Sequence, residues 1–138
     1  MDFLSPTTHH ESLPPEAAGG KAGKIGYPLP DPLRTVTSWF HKWNSLMARL
    51  QRAPFSEELP AALRGLALSR MHGETQAVRL GERQQLVGYV GSAVFELLGS
   101  PPPAAARALT VLARFANYAG TGVETLRGMG QTRARLLP

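Results

Sequence analysis

The sequence predicts an all-α protein: a small irregular bundle of four to five helices behind a disordered N-terminal arm. Three observations point there. Between Asp31 and Arg52 the apolar residues Leu33, Val36, Phe40, Trp43, Met47 and Leu50 recur at alternating steps of three and four, the mark of one helical face and even of a coiled-coil seam. Two later stretches, 82–98 and 101–119, repeat that spacing. Residues 1–30 are rich in Pro, Gly, Ser and Thr and show no sustained period, the composition of a flexible segment.

The first helix is the most clearly written. Asp31 is a good N-cap and Pro32 suits the first helical position. Pro54 ends the stretch, because the residue before a proline avoids the helical region. Both tryptophans, Trp39 and Trp43, lie here. The face made by Val36, Trp39, Phe40, Trp43, Met47 and Leu50 carries more aromatic area than so short a bundle needs. It is therefore the candidate self-association surface, with burial in the chain's own core and docking on a lipid surface as the alternatives. Lys42, Arg49 and Arg52 line the opposite side as a basic stripe. Just upstream, Tyr27-Pro28-Leu29-Pro30-Asp31-Pro32 is held extended by its prolines. It reads as a strap leading into the domain, or as a segment that docks in an aromatic groove of a partner.

A second helix is expected over 57–71, with Ser56 as cap, Glu57 and Glu58 in the first turn, and Gly73 as the stop. Residues 74–81 are a link. A short hairpin joining them to Leu86–Val90 across Gly81-Glu82 is the alternative. In the third helix, 82–98, Leu86, Val90, Ala93 and Leu97 form a stripe that Val87, Val94 and Leu98 widen. Gly88 and Ser92 would let a neighbouring backbone approach. A fourth helix, 101–119, opens at Ser100-Pro101 and ends at Gly120, with Arg107 and Arg114 on its polar face. Val123, Leu126 and Met129 suit a short fifth turn. The expected organisation is an arm over 1–30, a helical domain over 31–129 and a basic tail over 130–138 carrying Arg133 and Arg135.

A chain of 138 residues is one domain's worth, and 43% hydrophobic residues suffice for a modest core. There is no cysteine, which excludes disulfides, thiolate catalysis and Cys-type zinc sites. Net charge is +5 with a pI near 10.2, and arginine outnumbers lysine 12 to 3. The positive charge concentrates in residues 34–72 and 99–138, so an anionic partner is expected. No apolar run reaches 18 residues, and the N-terminus lacks the basic and apolar regions of a secretory signal. An intracellular protein, cytoplasmic or nuclear, without a membrane span is expected.

Catalytic patterns are weak. Gly19-Gly20-Lys21-Ala22-Gly23-Lys24 resembles a phosphate loop only loosely: Ala18 stands at the first Gly position, Ile25 at the hydroxyl position, and no strand precedes it. His9 and His10 read as part of a solvated tail. His41 sits beside Lys42 on the polar side of the first helix, and His72 at the end of the second. No pair has metal-ligand spacing, so no metal or cofactor is expected. No paired carboxylates and no Ser–His–Asp pattern stand out.

The favoured functional reading is a non-enzymatic, homo-oligomeric basic protein that binds nucleic acid, comparable by analogy alone to viral accessory, matrix or nucleocapsid proteins. The nucleic-acid contacts would be Lys42, Arg49, Arg52, Arg107, Arg114, Arg133 and Arg135. A peripheral membrane protein acting through residues 31–53 is the alternative, and a small enzyme without a recognisable site comes third.

Overall fold

Residues 66–97, expected as two helices around a link, form one long β-hairpin. The computed structural model describes residues 1–17, 23–53 and 58–137. Strands β4 (Leu66–Leu80) and β5 (Gln84–Leu97) pair antiparallel along their length, from Leu66 opposite Leu97 to Leu80 opposite Gln84. A bulge interrupts the register between Leu68 and Arg70. Gly81, at φ +78°, opens the turn. The short-hairpin alternative had the turn in the right place but the strands far too short.

The chemistry of this stretch explains the outcome. Val87, Tyr89, Val90, Val94 and Phe95 are β-branched or aromatic and prefer the pleated surface. Gly88 and Gly91 would each cost a helix about 1 kcal/mol relative to Ala. In the sheet the glycines are required instead. A Cβ on Gly91, which has φ +145°, would collide with the His72 carbonyl across the ladder.

The N-terminal arm is also ordered where it is described. Strand β1 (Asp2–Thr7) lies between β5 and a two-residue strand β6 (Thr132–Arg133), so the main sheet runs β4-β5-β1-β6. Strands β2 (His9–Leu13) and β3 (Gly23–Tyr27) form a separate two-stranded hairpin with His9 opposite Tyr27. The phosphate-loop reading falls largely on 18–22, and the cap expected for a second helix on 54–57. Both lie outside the described residues.

Two helices remain from the expected four to five. Helix α1 (Pro32–Arg49) starts as expected, with the Asp31 carboxylate accepting from the Arg34 N–H at 2.7 Å. It ends before Pro54, where Gln51 turns left-handed at φ 52°. Helix α2 (Pro103–Ala119) matches the fourth expected helix and stops at Gly120. Short 3-10 turns cover Ala61–Gly65 and Thr125–Arg127.

Leaving aside the β2–β3 hairpin and the 3-10 turns, the order is β1-α1-β4-β5-α2-β6. That is the ferredoxin-like split βαβ arrangement, with both helices packed together and against the sheet. The all-α expectation is therefore wrong: among the described residues the fold is α/β, with two helices and six strands in antiparallel sheets.

The aromatic face of α1 finds its partner inside the chain. Val36, Trp39 and Phe40 are buried against Leu112, Ala113 and Ala116 of α2. The Trp43 ring meets Phe115 edge-on at 5.2 Å. Only Leu50, at the far end, is mostly exposed, and Met47 is half-buried. Much of the face expected for self-association, Val36, Trp39 and Phe40 above all, is thus packed within this chain's own core. The Trp39 indole donates to the Thr121 hydroxyl at 2.7 Å, and Thr121 bonds Thr132 at 2.8 Å. These bonds anchor the loop after α2 to both α1 and β6.

Candidate active site

The loop after α2 forms one wall of a groove whose other walls are α1 and the β2–β3 hairpin. The Gly122 N–H donates to Ser38 Oγ at 3.0 Å, and the Val123 N–H to the Thr8 carbonyl at 3.0 Å. Gly122 has φ +77°, and a Cβ there would strike the Thr8 carbonyl. Glycine thus permits the close approach that shapes this wall. The groove holds about 710 Å³ and is lined by His9, His10, Asp31, Arg34, His41, Lys42 and Gly122, among others. That volume is ample for a nucleotide-sized group.

Each side chain has a structural reason for its place. Arg34 lies in the first turn of α1, its guanidinium 4.3 Å from the centre of the Tyr27 ring and 3.1 Å from the Glu11 carboxylate. It ties the hairpin to the helix. His41 is exposed, on the side of α1 turned from the core, with its ring edge-on to Phe40 at 6.0 Å. Lys42 bends toward the C-terminal end of α2 and donates to the carbonyls of Ala119 and Gly120, each at 3.2 Å. Burial lowers its pKa to about 8. His9 is almost fully buried. Burial first, then the nearby Arg34 cation, push its pKa down to about 4; Asp31 opposes the shift, and Lys42 adds a smaller lowering. It is uncharged at neutral pH.

The groove therefore offers an exposed imidazole, an ammonium of lowered pKa, a guanidinium and a neutral imidazole. Such a set can move protons and hold an anion. Among the described residues no group of three His, Cys, Asp or Glu is placed to hold a metal ion.

Of the basic residues expected to contact nucleic acid, the structure brings only Lys42 into this groove. Arg49 lines an adjoining depression with His41, Lys42 and Ser45. Arg52 lies exposed beyond the end of α1. Arg107 and Arg114 are exposed on α2, with Arg107 beside Trp43 and Pro60. Arg133 and Arg135 are at the β6 edge, where Arg135 pairs with Asp2 at 2.9 Å. These residues form several separate patches. Sequence reading missed His9, His10, Arg34 and His41 as members of one site. The available signal was the His41-Lys42 pair on the solvent side of α1. The strap Tyr27–Pro32 lies folded into the chain, with Pro30 buried.

Residues 1–132 match the family model described as CRISPR-associated endoribonuclease Cas6. The chain belongs to the Cas6 family. It is similar over 98% of its length to the "Cas6 (TTHA0078) product complex", at 26% identity and TM-score 0.73, covering 50% of that chain. It is similar over 94% to the "Cas6 (TTHB231) product complex", at 28% identity and TM-score 0.74, covering 47% of that chain. A third structure, "Thermus thermophilus Cas6 (TTHB231)", aligns with 94% of this chain and 50% of its own, at 26% identity and TM-score 0.71. The chain thus spans about half the length of these Cas6 structures. No curated protein matches it.

Membership in an endoribonuclease family overturns the expectation of a non-enzymatic viral or structural protein, and with it the membrane-binding alternative. The expected anionic partner agrees with a family that acts on RNA. No helix among the described residues is long and apolar enough to cross a membrane.

Proposed function

We propose that this chain supplies the RNA-cleaving groove of a Cas6-type endoribonuclease, with His41 and Lys42 as its catalytic residues. The observation that carries this reading is the convergence of His41, Lys42 and Arg34 on one open groove in a chain of that family. Arg34 and Lys42 hold the phosphate backbone of a single strand. The His41 imidazole takes the proton from a ribose 2′-hydroxyl. The 2′ oxygen then attacks the adjacent phosphorus, and the bond from phosphorus to the 5′ oxygen breaks. The Lys42 ammonium delivers the proton that the leaving 5′ oxygen needs. The products are a 2′,3′-cyclic phosphate and a free 5′-hydroxyl, with atoms and charge in balance.

Lys42 suits the acid's part because its pKa, lowered to about 8, sits close to the working pH. Two carbonyls fix its direction and leave one N–H free for substrate. The acid must be charged to act. Cleavage by the full-length protein should therefore fall as pH rises through about 8, and Lys42→Arg should remove that falling limb while lowering the rate at neutral pH. A wild-type rate that stays flat to pH 10 contradicts the assignment.

A further inference from the structure

His9 has no part in the chemistry just described, yet it is the most unusual polar group in the groove. The residue is 7% exposed, and its Nε2 is buried with no hydrogen-bond partner among the described residues. Leaving such an atom unpaired is costly, and native structures seldom do so without a reason. The hairpin that carries His9 is a two-stranded sheet separate from the main one and held to α1 through the Glu11–Arg34 pair. His9 nevertheless lines the groove, beside Arg34 and Lys42. Arg34 and Lys42 already serve the phosphates, and an imidazole that burial keeps uncharged is a poor anion ligand. What it suits is a neutral group that can both donate and accept, whichever ring nitrogen carries the proton. In RNA that group is the 2′-hydroxyl.

We propose that His9 Nε2 hydrogen-bonds one ribose 2′-hydroxyl of the bound strand and so contributes to the choice of RNA over DNA. The inference rests on the RNA-groove reading, and the test separates the two. Binding to the wild-type protein is measured by fluorescence anisotropy, using single-stranded RNA and a series of the same RNA with one 2′-deoxy position each. One position should weaken binding about 5- to 20-fold. In His9→Phe, affinity for the all-ribose RNA should fall by a similar factor and the penalty at that position should vanish, the signature of coupling in a double-mutant cycle. His9→Gln, which keeps a polar atom, should recover part of the affinity. A merely structural role would weaken all strands equally and leave the positional penalty intact, which overturns the proposal. So does a flat deoxy scan on the wild type, a result independent of whether the variants fold. A wild-type protein that binds no RNA at all defeats the groove reading itself, and this inference with it.

Discussion

His41→Ala should lower RNA cleavage by the full-length protein about 100- to 10,000-fold, the usual contribution of a positioned general base, while RNA affinity changes less than about threefold. The reasoning is geometric. His41 is exposed at the groove, on the side of α1 turned from the core, so truncating it leaves no buried cavity and removes an edge-on ring contact with Phe40. Phosphate binding stays with Arg34 and Lys42. The effect should therefore fall on kcat and leave KM nearly unchanged. Single-turnover cleavage with saturating protein measures this directly. A loss of less than about fivefold would remove His41 from the mechanism.

Gly122→Val should destabilise the chain by about 3 kcal/mol and weaken RNA binding together. A residue with a Cβ is strained at φ +77°, at a cost of roughly 1–3 kcal/mol. The added Cβ also meets the Thr8 carbonyl, which already accepts from the Val123 N–H. Relieving the clash pushes the 120–123 loop away from β1 and β2 and opens the groove wall. Urea unfolding should show a lowered midpoint with an unchanged slope. By contrast, Gly128→Ala has a strained φ of +86° but open space around the new Cβ, so it should cost less than half as much. Equal losses at the two positions would mean that the clash with Thr8 adds nothing.

What local pattern could reveal, it did. The Asp31 cap, the proline at the start of α1, its buried face and the extent of α2 were all legible, because capping and a 3.6-residue period are properties of neighbouring residues. The sheet was not. Strand β5 is flanked by β4 and β1, and Phe3 and Ala93 lie in one buried cluster though 90 positions apart in sequence. No local window contains that pairing. The apolar spacing of Leu86, Val90, Ala93 and Leu97 imitates a helix, and only their β-branched and glycine neighbours argue otherwise. Strand β1 was hidden in the same way. Its Pro and Thr content suggests disorder, while Phe3 packs edge-on against Tyr89 at 5.6 Å once the sheet exists.

The groove was illegible for a related reason. His9 comes from β2, Arg34, His41 and Lys42 from α1, and Gly122 from the loop after α2. Sequence places His9 in a tail and spreads the arginines over several segments. Net charge pointed to an anionic partner, since phosphate attraction needs no fixed geometry. It gave no indication of which cation stands beside which imidazole, the arrangement on which the proposed cleavage site rests.

The most direct test of the account is to locate bound RNA. Backbone amide spectra recorded during titration with a single-stranded RNA, made uncleavable by 2′-deoxy substitution at the cleavage site, should shift at Arg34, His41, Lys42, Gly122 and Val123. Shifts confined instead to the exposed arginines of α2 or to the β4–β5 hairpin, with the groove unmoved, would contradict it.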